Sequence, residues 1–304
     1  MPQLEKLLTD VGPADPPACV AQRALDSRLQ AVVLYLDRAA AGALDDVEEI
    51  HQLRVWTRRS AAALKLFATL VPRRKAAKLK KVLRRLRRSA GAVRDLDVIE
   101  AQLGAALAGP LVQRLKKQRK SARKSLRRLV RRRSRHGKLK RKVKRLMRRL
   151  ERRCGDFQSN GIAFAPWCRR QLSPLLEDFS RHASGGARQT DAALHRWRLA
   201  TKRLRYAVEL SPAALPQKTW ASLYDLLGEV QERIGRVCDA LVQRQRLRQW
   251  RRDTDDPAER EALDRLAAKC QKQLAAAKRA FGKWWTGRRG SSARELCRKA
   301  ATVA

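Results

Sequence analysis

The sequence is poor in acidic, aromatic and turn-forming residues. Of its 304 residues, 29 are Asp or Glu and 71 are Lys or Arg, so the formal net charge is +42. Aromatic residues make up 5% of the chain, which also has only 15 Gly and 11 Pro. So few Gly and Pro residues argue against short strands joined by tight turns. The abundant Ala, Leu, Arg and Lys favour helices, so we expect an all-α fold.

The chain also lacks long apolar runs and clustered cysteines. No window approaches the roughly 18 uncharged apolar residues of a membrane span. The opening residues, MPQLEKLLTD, lack the apolar core of a secretory signal. No cysteine forms a C-x-x-C motif or a zinc-ligand spacing with a histidine. We therefore expect a cytoplasmic protein with no transmembrane segment, metal site or cofactor, and with six reduced thiols. These are Cys19, Cys154, Cys168, Cys238, Cys270 and Cys297.

The surplus of positive charge indicates a polyanionic partner. Because 44% of residues are hydrophobic, the chain can build a core and is not a disordered basic tail. A net charge of +42 repels itself and weakens the compact state unless anions screen it. At physiological salt, charges are largely screened only beyond about 8 Å, so cations packed closely in a groove still repel one another. Nucleic acid, an anionic membrane surface and a phosphate polymer all satisfy this requirement.

Apolar periodicity predicts nine helices and no convincing strand. The most basic segment, Arg114–Arg153, contains one acid, Glu151, and is predicted as one long helix or two broken at Gly137. His136 and His182 are predicted to lie in loops. The predicted helices cover about 20–42, 45–71, 73–107, 111–153, 165–182, 190–210, 217–250, 257–280 and 291–302.

An internal repeat is the strongest signal in the sequence. The segment His51–Arg59 (HQLRVWTRR) recurs 144 positions later as His195–Arg203 (HRWRLATKR). The segment SAGAVRDLDV recurs at the same offset as RIGRVCDALV, which aligns Asp95 with Asp239. Two separate motifs that share one offset indicate a duplicated unit with matched helix and loop lengths.

Helical spacing places the cations of each repeat on one face and the apolar residues on the other. Like charges three, four or seven residues apart destabilise a helix, so we interpret both faces as anion-binding rather than merely solvated. Acidic residues precede both helices and place each histidine in the first or second turn. The first repeat presents His51, Arg54, Arg58 and Lys65, and we call this set the His51 face. The second presents His195, Arg198, Lys202 and Arg205, the His195 face.

The repeated histidine motifs and the G-x-x-R-D-x-D-V run at 91–98 together resemble the CHAD domain, the conserved histidine α-helical domain. The resemblance spans about residues 20–300. It implies two pseudo-symmetric antiparallel helical-bundle halves, residues 1–155 and 156–304, that form one compact unit with a basic central groove. It also implies binding of long-chain inorganic polyphosphate in that groove, and association with polyphosphate granules.

The resemblance and the basic face of the helix after Pro72 together define the expected polyphosphate-binding residues. Two positions depart from the family: Ala61 stands where another arginine is usual, and Cys238 stands where a polar residue is expected. Asp95 and Asp239 are expected to be structural partners of arginine rather than ligand contacts. The expected binding residues are His51, Arg54, Arg58, Arg59, Lys65, Lys81, Arg84, Arg88, Arg94, His195, Arg198, Lys202, Arg203, Arg205 and Tyr206.

Three functional hypotheses follow. Polyphosphate binding is favoured because arginine grips phosphate oxygens with a bidentate fork and the chain has few aromatic residues for base stacking. Neighbouring arginines should keep His51 and His195 neutral until an anion binds. Non-specific nucleic-acid binding is the alternative, kept open by Trp284 and Trp285. A phosphoryl-transfer enzyme is the third hypothesis. We expect no catalytic residues, because no Walker loop or recognisable magnesium site occurs.

Overall fold

The computed structural model describes residues 5–42, 44, 46–103, 109–156, 161–185 and 189–302. The described residues form helices joined by turns and irregular segments and contain no strand, which confirms the all-α prediction. Short 3-10 turns occur at Arg135–Gly137 and Pro212–Ala214. The helices are α1 (Pro17–Ala40), α2 (Val47–Leu66), α3 (Arg73–Leu103), α4 (Pro110–Ser134), α5 (Lys138–Asp156), α6 (Phe164–Ser184), α7 (Asp191–Val208), α8 (Gln217–Arg252), α9 (Pro257–Trp284) and α10 (Gly287–Thr302).

The basic segment forms two helices, α4 and α5, rather than one. The α-helical conformation is interrupted at Arg135–Gly137, where His136 and Gly137 have φ angles of 56° and 59°. Glycine adopts this left-handed conformation without steric cost, so Gly137 favours a break at this point. Of the two alternatives, the sequence-based prediction of a break at Gly137 is therefore confirmed. The prediction that His182 lies in a loop is wrong, because this residue lies inside α6.

The chain divides into two compact units, Met1–Trp167 and Cys168–Ala304. In the first unit, α1 packs against α2, α4 and α5, while α3 packs against α2 and α4. In the second unit, α8 packs against α7, α9 and α10. The boundary expected between residues 155 and 156, and the pseudo-symmetry of the two halves, stay predictions.

The apolar sides of α4 and α5 form part of the core of the first unit. Leu126 and Val130 of α4 and Leu146 and Leu150 of α5 are fully buried. Burial of one such side chain stabilises the fold by about 1.5–3 kcal/mol, which secures these helices despite their repelling cations. The cations occupy the exposed sides. Across the described ranges, each helix is too short or too polar to cross a membrane.

Aromatic residues organise the core of the second unit. Trp197 is fully buried, and its ring centroid lies 5.3 Å from that of Phe281 and 4.9 Å from that of Trp285. The indole nitrogen of Trp285 donates to the carbonyl oxygen of Ala183 at 3.2 Å, which ties α6 to the end of α9. Trp285 is therefore a packing anchor between helices.

Cys19 and Cys154 form a disulfide, which corrects the expectation of six reduced thiols. The two residues are 135 positions apart, but α1 packs against α5 and brings their Cα atoms to 5.0 Å. This separation is within the range that disulfide geometry requires. The other four cysteines are buried free thiols.

We expect reduction of the Cys19–Cys154 disulfide to destabilise the protein by roughly 2–4 kcal/mol, because the bond closes a long loop in the unfolded chain. Urea denaturation with and without a reductant measures the effect. The C19S/C154S double variant is the control and should not respond to reductant. Thiol titration of the denatured, unreduced protein should detect four thiols. A titre of six would contradict the assignment.

Candidate functional site

The His51 face begins at a well-defined helix start. The side chain of Asp46 caps α2 and accepts a hydrogen bond from the backbone nitrogen of Glu48 at 2.7 Å. Glu48 and Glu49 occupy the first turn, where negative charge interacts favourably with the helix dipole. The acidic start predicted for this helix is confirmed, and it places His51 in the second turn.

An ion pair between α2 and α3 fixes the orientation of Arg54. Its Nη1 atom donates to Oδ1 of Asp95 at 3.1 Å. The arginine side chain is 20% exposed and the aspartate side chain 42% exposed. The Nε atom of Arg54 is buried, and no partner for it lies among the described residues. The guanidinium is thus held by the protein, while part of the arginine side chain remains exposed.

Burial and three nearby arginines influence the pKa of His51. Burial is the largest influence and lowers the pKa of His51 below its ordinary value, although nearby Glu48 opposes it. The positive charges of Arg94, Arg54 and Arg58 lower the pKa further. The direction agrees with the expectation that His51 is neutral in the absence of an anion, but burial rather than the neighbouring arginines is the largest cause. The arginine contributions also show that cations of α2 and α3 converge around one imidazole.

The His195 face contains the same ion pair at equivalent positions. α7 begins at Thr190, whose hydroxyl accepts from the backbone nitrogen of Ala193 at 3.3 Å. Nη2 of Arg198 donates to Oδ1 of Asp239 at 3.1 Å, and Nε of Arg198 is again buried without a partner among the described residues. Both pairs join residues 41 positions apart. The predicted structural role of the two aspartates is confirmed.

The two repeats carry one of their arginines on different helices, α3 in the first and α7 in the second. The guanidinium carbon of Arg205, on α7, lies 5.1 Å from the ring centroid of Tyr224 on α8. A Cβ added to Gly228 would lie 3.9 Å from the same guanidinium. At the offset of 144, Arg205 corresponds to Ala61, and Gly228 corresponds to Arg84. In sequence, the first repeat therefore carries this arginine on α3 and the second carries it on α7.

Two further expected binding residues, besides Arg54, Arg198 and Arg205, contact other side chains of the fold. Arg59 is 8% exposed, and its guanidinium carbon lies 5.1 Å from the ring centroid of Trp56. Arg203 donates to Asp178 of α6 at 2.7 Å. Lys202 and Tyr206 are half-buried on α7. The remaining expected residues that are exposed on α2 and α3 are Lys65, Lys81, Arg84 and Arg88.

The second repeat carries fewer cations than the first. At the offset of 144, Asp225 and Glu232 replace Lys81 and Arg88, and both acids are exposed on α8. Cys238 takes the place of Arg94. Burial raises the pKa of the Cys238 thiol, although Arg198 lowers it, so this residue is a poor nucleophile.

A cavity of about 740 Å³ lies beside His195 in the second unit. Its lining includes four arginines that sequence reasoning missed, all from the last third of α8. Their spacing places them on neighbouring turns of one helix, and this spacing is the signal that could have identified them. Arg244 of this set also donates to Asp191 at 3.3 Å, at the start of α7. The four are Arg244, Arg248, Arg251 and Arg252.

The side chains at both faces are suited to binding anions. Wherever the structure describes side chains, no group of three or more His, Cys, Asp or Glu residues is arranged to hold a metal ion. Arginine and histidine offer several hydrogen-bond donors each, and their positive charge strengthens bonds to phosphate oxygens. The common groove expected from the family resemblance stays a prediction.

Comparison with known proteins agrees with this arrangement of motifs. A family model described as the CHAD domain matches residues 23–248. Among solved structures, the chain is similar to the crystal structure of the CHAD domain from the plant Ricinus communis. The TM-score is 0.71 at 21% sequence identity, over 97% of this chain and 96% of that chain. It is also similar to PptA from Streptomyces chartreusis, with a TM-score of 0.58 at 18% identity over 89% and 99% of the two chains.

The two structural similarities, both below 25% identity, establish the fold alone. No curated protein matches the chain. The family model, however, covers most of the sequence and includes both histidine motifs and both aspartates. The chain therefore belongs to the CHAD domain family.

Proposed function

We propose that the protein binds inorganic polyphosphate through the cations of the His51 and His195 faces. The observation that carries this proposal is the pair of matched arginines, Arg54 and Arg198. Each is held by an aspartate through one Nη atom, while about one fifth of its side chain, 20% and 21%, remains exposed to a ligand. A donor held in place loses little conformational freedom on binding, which favours a charged acceptor such as a phosphate oxygen.

The aromatic residues support a phosphate chain rather than a nucleic acid as the ligand. Single-stranded nucleic acids are bound largely by stacking of bases on exposed aromatic rings. Trp56 and Trp197 are buried. The guanidinium carbons of Arg233 and Arg289 each lie 4.5 Å from the ring centroid of Trp284, which covers the ring with cations. The residue pair that kept the nucleic-acid alternative open thus has packing roles.

Binding without turnover is part of the proposal. Phosphoryl transfer requires carboxylates that hold magnesium ions or a nucleophile that forms a covalent intermediate. Asp95 and Asp239 are already bonded to arginines, and the raised pKa of Cys238 disfavours its thiolate. In this view the faces retain the polymer, and the protein associates with polyphosphate granules in the cytoplasm.

We expect loss of Arg54 or Arg198 to weaken polyphosphate binding by about tenfold each, since a hydrogen bond to a charged group contributes about 1.5–3 kcal/mol. Affinities of R54A, R198A and the double variant are measured with labelled long-chain polyphosphate at fixed salt. The control is K272A/R279A, which removes two exposed cations from α9. Equal losses in the control and face variants would contradict the assignment.

Competition with nucleic acid distinguishes the two ligand classes. The protein is first loaded with short polyphosphate, and DNA or RNA of equal charge is then titrated at moderate salt. We expect polyphosphate to remain bound. Both polymers release counterions and respond to salt, so salt dependence alone does not separate them. Displacement by nucleic acid at equal charge concentration would overturn the proposal.

We expect polyphosphate affinity to rise as the pH falls from about 8 to 6. The pKa of His51 is lowered in the free protein, and a bound anion favours the charged imidazole, so binding takes up a proton. The uptake is largest between the free and bound pKa values. The variant H51Q should show a flatter profile in the same titration. A flat profile in the unmodified protein would remove His51 protonation from the mechanism.

We expect no orthophosphate release when the protein is incubated with long-chain polyphosphate and Mg²⁺, because the carboxylates of both motifs are bonded to arginines. A colorimetric phosphate assay and chain-length analysis on a gel measure the outcome. Turnover that disappears in the variant R58A would contradict the proposal that the protein only binds.

A further inference from the structure

A cavity of about 420 Å³ in the first unit is lined almost entirely by cations. It lies between the start of α3 and the last two turns of α5, and Pro72 forms its apolar wall. The cavity has no lining residue in common with the His51 or His195 face. Its cations are Lys75, Arg149, Arg152 and Arg153, and we call these four residues the Arg149 cluster.

Backbone contacts hold this cluster in place. Nη1 of Arg153 donates to the carbonyl oxygen of Leu70 at 2.7 Å, in the connection between α2 and α3. Nζ of Lys75 donates to the carbonyl oxygen of Arg145 at 3.3 Å, which joins α3 to α5. The disulfide at Cys154 secures the next residue of α5 to α1. Two cations of the cluster are therefore positioned by neutral carbonyl groups.

No described carboxylate neutralises the Arg149 cluster. Within the described part of the chain, its four residues form no ion pair. The one acid in the middle of α5, Glu151, is two residues from Arg149 and so lies about 200° around the helix from it. Four cations that converge without an acid repel one another, and a bound anion would relieve that repulsion.

A row of further cations extends from the cluster along α5. Leu139, Val143, Leu146 and Leu150 form the buried side of this helix. The opposite side carries one arginine per turn over most of the length of about 28 Å that 19 residues span. The row consists of Arg152 of the cluster and three further arginines, Arg141, Arg145 and Arg148, and all four side chains are exposed.

The cluster lies outside the repeated motifs. The motifs that share the offset of 144 fall within residues 51–98 and 195–242, and of the four cluster residues only Lys75 lies in that span, where it corresponds to Thr219. The duplication that relates the two faces therefore does not account for the cluster. Nor do the motifs of the family, which lie on α2, α3, α7 and α8.

We propose that the cavity lined by the Arg149 cluster is a second binding site for condensed phosphate. The row along α5 extends this site, so that a longer phosphate chain can follow the helix. The proposal rests on the proposed function only for the identity of the ligand. Cations in a single row suit a linear anion whose charges follow one another. A protein with two such sites can hold two segments of one chain, which raises the overall affinity through effective concentration.

Other anionic partners fit this surface less well. α4 and α5 contain no aromatic residue, so they offer no platform for the bases of a single-stranded nucleic acid. The apolar residues of α5 are buried in the core, so the helix has no apolar face to insert into a membrane interface. A phosphate polymer requires neither feature.

Calorimetric titration of the full-length protein with tripolyphosphate tests the proposal, since this short ligand occupies one site at a time. We expect two classes of site in the unmodified protein. The variant R149E/R152E should lose one class, and R54A/R198A should lose the other. K272E/R279E, which reverses two exposed charges on α9, is the matched control and should keep both. K75Q/R152Q repeats the test without charge reversal, and circular dichroism verifies folding of every variant.

With long-chain polyphosphate, we expect R149E/R152E to bind about tenfold more weakly than K272E/R279E at the same salt. Binding of R149E/R152E equal to that of the control, with weaker binding by R54A/R198A, would overturn the second site and leave the proposed function intact. No binding by the unmodified protein would overturn both. Displacement of tripolyphosphate by orthophosphate at equal phosphate concentration would exclude a preference for condensed chains. Loss of duplex DNA binding alone in R149E/R152E would assign the surface to nucleic acid.

Discussion

The ion pairs between consecutive helices are the interactions on which the arrangement of both faces depends. Arg54–Asp95 joins α2 to α3, and Arg198–Asp239 joins α7 to α8, each at 3.1 Å. Without these aspartates, the arginines would be repelled by the neighbouring cations on the same face. Each aspartate therefore neutralises one charge and fixes one guanidinium. This combination lets a helix with a packed apolar side present several converging cations on the other.

The fold accommodates a net charge of +42 in two different ways. At the two faces, a few acids at fixed positions compensate selected arginines. Along α5, buried leucines and Val143 stabilise the helix, while most of its cations remain without a carboxylate partner in the described structure. A ligand that binds only the folded state stabilises it in proportion to the logarithm of its concentration. A polyanion would thus contribute to stability as well as occupy the sites.

Much of the fold could be predicted because it depends on local patterns. Helical periodicity and end signals identified the starts at Asp46 and Thr190. The common offset of 144 aligned Asp95 with Asp239, and the family resemblance led us to expect both as partners of arginine. The disulfide between Cys19 and Cys154 could not be predicted, because only tertiary packing brings residues 135 positions apart together. The Arg149 cluster escaped sequence reasoning for the same reason. Its members come from two helices separated by more than 70 positions in the chain.

The two repeats differ in which helix carries one of their arginines. The first repeat has Ala61 on α2 and Arg84 on α3, whereas the second has Arg205 on α7 and Gly228 on α8. In the second repeat, a Cβ at Gly228 would lie in ordinary van der Waals contact with the guanidinium of Arg205, so the two positions are neighbours between α7 and α8. The repeats also differ at Lys81 and Arg88, which acids replace in the second copy. Both repeats keep the arginine–aspartate pair between consecutive helices, so this pair, rather than the full set of cations, is the common element of the two faces.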